Sequence, residues 1–293
     1  MGPWTTSMAA GDFNGDQVPD LAVVAQRVGN VSILLGKGDG TFHPVEYFRA
    51  GARPISIAAG DFNGDGWLDL AVANYGSDTV SILRGDGHGR FQAPEFFPVG
   101  NSPRWVTVAD FDGDQILDLA VANYGSGTVS ILIGKGDGTF NPATNYRVAS
   151  NPVPIAVGDF NGDNILDLAV GNRGPTLVPG STVSILLGKG DGTFGAQTEF
   201  GVGMAPYFIV VGDFDGDKIP DLAVANANAN NIAVLIGRGD GSFQAAEFFG
   251  TAAGPISVAA GDFNGDDRLD LAAANTLASN VSILLNDTKP PER

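Results

Sequence analysis

One stretch of sequence, GDFNGDGWLDLAVAN at residues 60–74, recurs in six variants along the chain. The copies begin 49, 49, 49, 54 and 49 residues apart, at Asp12, Asp61, Asp110, Asp159, Asp213 and Asp262. A regular period of this length is typical of proteins built from stacked supersecondary units. The sequence therefore predicts a single domain over residues 1–287, made of six repeats, followed by a C-terminal tail at 288–293.

Each repeat contains four segments with the composition of short strands. In the second repeat, PISIAAGDF (54–62), LDLAVAN (68–74) and TVSILRG (79–85) are apolar and rich in β-forming residues. The aromatic segment RFQAPEFFPVG (90–100) predicts a fourth strand at a sheet edge. GDG turns between the third and fourth segments are a strong hairpin signal, and no segment shows a capped helical period. We therefore predict an all-β fold.

Four antiparallel strands in every repeat match the blade of a β-propeller. Six copies predict a six-bladed β-propeller of four-stranded antiparallel blades. The last copy stops after its third strand, at NVSILLND (280–287), so the first three strands occur six times and the fourth five times. The alternative is an incomplete seven-bladed propeller.

Oxygen-bearing side chains occupy positions 1, 3, 5 and 9 of a nine-residue loop in every copy. Alternate spacing in a tight turn directs these side chains toward one centre, and calcium prefers such oxygen ligands at about 2.3–2.6 Å. Glycine at position 4 permits the sharp bend. By analogy with related calcium loops, the backbone carbonyl of position 7 supplies a further ligand. The alternative is that these residues only form Asx-turns.

The predicted ligand sets, with position 7 placed fourth in each, cover all six copies. They are Asp12, Asn14, Asp16, Val18 and Asp20; Asp61, Asn63, Asp65, Trp67 and Asp69; Asp110, Asp112, Asp114, Ile116 and Asp118; Asp159, Asn161, Asp163, Ile165 and Asp167; Asp213, Asp215, Asp217, Ile219 and Asp221; Asp262, Asn264, Asp266, Arg268 and Asp270.

The net charge supports bound cations. The four side-chain positions hold 20 of the 33 acidic residues of a chain whose formal net charge is −17. Six Ca²⁺ ions would add +12 and leave about −5, an ordinary value for a folded domain. A charge of −17 disfavours nucleic acid and anionic membrane surfaces, so we expect neither a nucleic-acid partner nor membrane insertion, and we expect a monomer.

The loop, the following VSILRG and the GDG hairpin together resemble the FG-GAP/VCBS repeat, the blade of the integrin α-chain propeller and of many bacterial secreted proteins. The resemblance covers essentially the whole chain. It implies a calcium-binding β-propeller, extracellular or at the cell surface, although the N-terminal segment MGPWTTSMAA has no signal-peptide pattern. It also implies that partners meet the face opposite the metal loops. Integrins have seven blades and fewer metal loops, so integrin-like partner binding does not follow.

Candidate ligand-binding residues lie in the loops that vary between repeats. Aromatic rings beside amides and arginines suit a sugar or a peptide, by stacking and hydrogen bonding. The alternative for the aromatic residues is packing between blades. The candidates are Tyr75, Trp105, Tyr124, Arg173 and Tyr207.

We therefore expect a binding or adhesion module for a glycan or protein partner. A purely structural scaffold and a calcium-dependent polysaccharide lyase are the alternatives. The two histidines, His43 and His88, lie in or beside hairpin turns, and no cluster of titratable residues stands outside the metal loops. The sequence therefore predicts that the chain is not an enzyme.

Overall fold

The computed structural model describes residues 5–174 and 181–287. The chain divides into two compact units, Met1–Tyr146 and Arg147–Arg293. All regular structure in the described ranges is β, so the all-β prediction is confirmed. The single domain over 1–287 stays a prediction, and the tail predicted at 288–293 lies outside the described residues.

The first unit holds three four-stranded sheets, here called blades 1 to 3. Blade 1 comprises β1 (Thr5–Gly11), β2 (Asp20–Ala25), β3 (Asn30–Leu34) and β4 (Glu46–Arg49). Blade 2 comprises β5 (Pro54–Gly60), β6 (Asp69–Asn74), β7 (Thr79–Leu83) and β8 (Glu95–Pro98). Blade 3 comprises β9 (Pro103–Ala109), β10 (Asp118–Asn123), β11 (Thr128–Leu132) and β12 (Thr144–Arg147).

The second unit holds blades 4 to 6. Blade 4 comprises β13 (Pro152–Gly158), β14 (Asp167–Asn172), β15 (Thr182–Leu186) and β16 (Thr198–Gly201). Blade 5 comprises β17 (Pro206–Gly212), β18 (Asp221–Asn226), β19 (Asn231–Leu235) and β20 (Glu247–Gly250). Blade 6 comprises β21 (Pro255–Gly261), β22 (Asp270–Asn275) and β23 (Asn280–Leu284).

Every blade is an antiparallel meander whose strands pair in chain order. Five blades have the four strands predicted, and the described residues of blade 6 form three. The four-stranded prediction is therefore not met for the last blade within the described range, which continues for three residues beyond β23. On β23, Val281 is 61% and Ile283 54% exposed, whereas the equivalent Val80 and Ile82 of blade 2 are buried in a core shared with blade 3.

The second strand of each blade forms the core. All six residues of β6, β10, β14 and β18 are buried, because both faces of the sheet are covered. Such a strand reads as a continuous apolar run rather than as an alternating one. The fourth strands are largely exposed, as predicted for an edge.

Within each unit, pairs of phenylalanines join consecutive blades. In three pairs, the phenylalanine that closes a GDG hairpin packs edge to face against the phenylalanine at position 2 of the metal loop of the preceding blade. In the first unit, the ring centroids of Phe62 and Phe140 are 5.7 Å apart, and Phe97 lies 5.3 Å from Phe140. Phe160 and Phe243 repeat the contact in the second unit at 5.7 Å. Such pairs add to the stabilisation from burial.

Replacing Phe140 by alanine should destabilise the protein far more than replacing Phe42, the matching residue of the first hairpin. Phe140 is 4% exposed and Phe42 is 38% exposed, so only the first substitution opens a cavity. We expect a loss of about 3–5 kcal/mol in the free energy of unfolding for Phe140→Ala, measured by urea denaturation. For Phe42→Ala we expect less than about 1 kcal/mol. Equal losses would contradict the contact between blades.

Candidate functional site

The predicted metal loops connect the first and second strands of each blade. Each loop turns through two left-handed residues, at positions 4 and 6. In blade 3 these are Gly113 (φ 80°) and Gln115 (φ 70°). The glycine was expected, whereas the left-handed residue at position 6 was not, because that position carries glycine in blade 2 alone.

The aspartate at position 1 collects the backbone N–H groups of its own loop. In blade 1, Asp12 Oδ1 accepts from Gly15 N at 2.7 Å, and Asp12 Oδ2 accepts from Gln17 N at 2.7 Å. Partial burial raises the pKa of Asp12, but these backbone donors lower it more, and the net effect is a pKa below the usual value. Asx-type bonding is therefore present, in addition to any metal binding.

The aspartate at position 9 is the first residue of the second strand and is fully buried in all six blades. Asp118 accepts from Phe111 N through Oδ2 at 2.8 Å and from Gly134 N through Oδ1 at 2.7 Å. One carboxylate thus ties the metal loop to the hairpin of the same blade. Gly134 is required there, since a Cβ would lie 2.5 Å from the carbonyl oxygen of Leu117.

Burial makes three of these carboxylates hard to ionise. Loss of solvation raises the pKa values of Asp69, Asp118 and Asp221 to about 6, although backbone N–H donors oppose the shift. The neighbouring loop carboxylates raise the values further. A bound cation would remove this penalty, because it favours the charged form.

Two loops bring three carboxylates within metal-binding reach. In each set the oxygens lie within 4.8 Å of one another, a spacing that fits calcium ligands about 2.3–2.6 Å from a common ion. The sets are Asp110, Asp112 and Asp118 in blade 3, and Asp213, Asp215 and Asp221 in blade 5. These are the two loops with aspartate at position 3. The donor set is all oxygen, so the residues fit a hard divalent cation.

The four loops with asparagine at position 3 are arranged differently. Asn63 Nδ2 donates to Asp65 Oδ2 at 2.9 Å, and Asp65 N donates to Asn63 Oδ1 at 2.9 Å. Asn14, Asn161 and Asn264 make the same amide-to-carboxylate bond. A metal ion in these loops has to displace that donor, because a cation needs the amide oxygen. Their ligand roles stay predictions, as does that of the position-7 carbonyl.

The metal loops of blades 1, 2, 4 and 5 are also joined to the next blade of their unit. Gly138 N donates to Phe62 O at 2.9 Å, and Gly241 N donates to Phe160 O at 2.9 Å. In blade 6 the side chain of Asn286 donates to Phe214 O at 2.7 Å, at the place where the other blades use a hairpin glycine. The sequence reading missed this link, which acts between repeats.

Buried asparagines anchor the second strands at the ends away from the metal loops. Asn123 Nδ2, at the end of β10, donates to Thr128 Oγ1 at 3.1 Å and to Ser130 Oγ at 2.8 Å. Asn74 and Asn172 repeat the pattern. These asparagines fix where the following turn begins, so they have a structural role in spite of their position beside the variable loops.

Three of the five candidate ligand-binding residues are tyrosines, and each lies under an arginine. The guanidinium carbon of Arg53 is 4.7 Å from the ring centroid of Tyr75. The corresponding distance is 5.1 Å for Arg104 over Tyr124 and 4.8 Å for Arg173 over Tyr207. The sequence predicted tyrosine rings as ligand-binding surfaces, and the structure adds that a guanidinium group covers one face of each ring.

The fifth candidate, Trp105, lies on β9, pairs with Ala122 of β10 and is partly buried. Its role as a ligand-binding residue stays a prediction. Arg53 and Arg104, which the sequence shows only as departures from the repeat, belong to the same constellation as the tyrosines.

Family comparison agrees with the loop geometry. The model of the FG-GAP-like repeat matches residues 12–72, 61–121, 110–170, 176–224 and 213–273, and that of the FG-GAP repeat matches 155–186. The chain belongs to the FG-GAP repeat family. A search of curated proteins found no match.

Solved structures support a β-propeller as the fold class of this FG-GAP protein. It is similar to an Agrocybe aegerita lectin that recognises non-reducing terminal N-acetylglucosamine (20% identity, TM-score 0.61, covering 98% of this chain and 82% of that chain). It is similar to a Lactobacillus plantarum protein (15%, 0.65, 98% and 86%) and to virginiamycin B lyase from Staphylococcus aureus (14%, 0.61, 97% and 79%). At such identities the likeness shows the fold alone.

The described part of the FG-GAP chain contains no helix long and apolar enough to cross a bilayer.

Metal-stripped protein should become more stable as the pH falls from about 7.5 to about 5. The pKa values of Asp69, Asp118 and Asp221 are raised in the folded state to about 6 from 3.8. Between these values the folded state binds more protons than the unfolded state, so acidification favours folding. Thermal melting at several pH values measures the effect.

Replacing these three aspartates by asparagine should flatten the pH dependence. Asp39, Asp137 and Asp191 provide the control, because their pKa values are already lowered and they do not titrate in this range. Their replacement removes the same charge and should leave the slope unchanged. A midpoint that falls on acidification of the stripped protein would show that the buried carboxylates are not the dominant groups.

Proposed function

We propose that this protein is a calcium-stabilised, six-bladed FG-GAP propeller of the extracellular space or cell surface that acts as a binding module and not as an enzyme. Its partner is a glycan, bound by the turns at the strand ends away from the metal loops. The observation that carries the proposal is the set of three arginine-over-tyrosine pairs at that end of the blades, in which Arg104 lies on β9 and Tyr207 on β17. Such a pair holds a guanidinium in place while its N–H groups can still donate to a ligand.

Calcium is the cation proposed for the loops. All the candidate ligands are oxygens, and calcium accepts irregular coordination by such ligands, whereas magnesium demands near-octahedral geometry. Millimolar extracellular calcium would keep even weak loops filled. The ions are structural in this proposal, because the loops connect strands within a blade and contact the next blade through Phe62 O and its equivalents.

The proposal predicts two classes of calcium site. The loops at Asp110 and Asp213 should bind more tightly than the four loops with asparagine, which must first break an amide-to-carboxylate bond. Calorimetric titration of stripped protein should resolve two tight ions. Asp112→Asn together with Asp215→Asn should convert both loops to the common type and abolish the distinction. One class of equivalent sites, insensitive to these substitutions, would contradict the assignment.

Calcium should also raise the melting midpoint. Each filled site stabilises the folded state by about 2.7 kcal/mol when calcium is at a hundredfold excess over its Kd. An unchanged midpoint in the presence of a chelator would disprove the structural role of the ions, whatever the partner is.

Glycan binding is tested on an array with calcium-loaded protein. Tyr75→Ser with Tyr124→Ser should weaken binding roughly tenfold, about 1.4 kcal/mol, because the stacked arginines lose their support. Tyr47→Ser is the matched control, since Tyr47 is 55% exposed on β4. No bound glycan would favour the scaffold alternative. An unsaturated product released from a uronic-acid polysaccharide would favour the lyase.

A further inference from the structure

One concave surface of the first unit is a groove between blades 1 and 2. Its volume is about 940 Å³, at the upper end of the range for small-molecule sites. It lies between the turn after β2, the end of β4 with the turn that follows, and the face of blade 2 that carries Ser77, Thr79 and Phe96.

The charge of the groove is opposite to that of the protein. The chain has 33 acidic and 16 basic residues, yet the lining carries Arg27, Arg49 and Arg53 and no carboxylate. Among the described residues, Arg49 and Arg53 form no ion pair. Arg53 is instead held over the ring of Tyr75 at 4.7 Å. The guanidinium group of arginine binds a carboxylate through two parallel N–H···O hydrogen bonds, and this cluster offers three guanidinium groups.

The repeats provide an internal reference for this cluster. The positions of Arg27, Arg49 and Arg53 in the first repeat are occupied in the second by Gly76, Pro98 and Ser102. The arginines are therefore not required by the blade. Arg27 and Arg53 have no arginine at the equivalent position of another repeat, and Arg49 recurs only as Arg147 of the third repeat. The three arginines line one groove.

The uncharged lining favours a sugar over a peptide. Phe96 is 48% exposed and lines the groove together with Ser77 and Thr79. The amide of Asn30 lies at the same groove. Hydroxyls and amides both donate and accept, which matches the hydroxyl groups of a sugar, while an aromatic face suits its C–H surface.

We propose that the groove between blades 1 and 2 binds a carboxylate-bearing glycan, with Arg27, Arg49 and Arg53 as ligands for the acidic groups. This rests on the proposed function as a glycan-binding module and names the class of glycan and its place. The net negative charge of the whole chain makes the binding depend on these three side chains rather than on long-range attraction.

The test compares tetragalacturonate with its methyl ester, which has the same sugar rings without charge. Calorimetry with calcium-loaded protein should show binding of the acid and at least roughly tenfold weaker binding of the ester. The variant Arg27→Gly, Arg49→Gly, Arg53→Ser should bind the acid at least roughly tenfold more weakly than the parent. Each new residue occurs at the same position of another repeat, so the blades should fold.

The control variant removes the same charge elsewhere: Lys37→Gln, Lys135→Gln, Lys189→Gln, all in exposed hairpins. It should bind within about twofold of the parent, because none of these lysines lines the groove. Thermal melting in calcium checks that both variants are folded. If the triple arginine variant unfolds, Arg49→Gly alone replaces it and should also weaken the binding of tetragalacturonate.

Three results would overturn the inference. They are no binding of tetragalacturonate by the parent, equal affinity of the arginine variant, or equally tight binding of tetraglutamate, which would assign an acidic peptide instead. If a neutral glycan binds on the array while tetragalacturonate does not, the inference fails and the proposed function stands. If calcium leaves the midpoint unchanged while the arginine dependence is found, the structural calcium fails and the groove stands.

Discussion

The buried aspartate at the start of each second strand is the constraint on which the blades depend. In blade 3, Asp118 has no solvent contact, and its two oxygens hold the N–H groups of Phe111 and Gly134. The loop before the second strand and the hairpin after the third strand are thereby fixed to one point. Burying a carboxylate is unfavourable unless it is hydrogen-bonded and its charge is compensated. The backbone provides the hydrogen bonds, and a cation in the adjacent loop would provide the compensation.

The phenylalanine at position 2 of the metal loop links this buried aspartate to the next blade. Phe62 follows the first loop aspartate of blade 2, and its N–H is held by the buried Asp69. Its carbonyl accepts from Gly138 of blade 3, and its ring packs on Phe140. Metal loop, buried carboxylate and contact between blades are therefore consecutive parts of one structure. A loop that loses its order affects both its own blade and the next.

The repeated features could be predicted from the sequence because each is local and occurs several times. Strand positions, the GDG hairpins and the glycine at position 4 all follow from short-range patterns, and the shortage of fourth strands was visible in the last copy. Contacts between repeats could not be predicted, since nothing in a sequence pairs Gly138 with Phe62. The hydrogen bond between asparagine and aspartate in the four asparagine loops could not be predicted from the sequence either. An amide offers both a donor and an acceptor, and only the structure shows that the donor of Asn63 faces Asp65.

If the proposed calcium and groove ligand both bind, they influence each other only through folding. The groove lies mainly at the far end of β6 from the metal loop of blade 2, and a strand of six residues spans about 20 Å. The Debye length at physiological ionic strength is about 8 Å, so the charge of an ion in the loop is largely screened there. The position of β6, however, affects the groove. Asp69, the first residue of β6, is fixed by the hydrogen bond from Gly85 N. Asn74, the last residue of β6, donates to Ser81 Oγ at 3.1 Å and so fixes the turn that carries Ser77 and Thr79. The repeated residues thus position the surface at which we propose that Arg27, Arg49 and Arg53 bind a ligand.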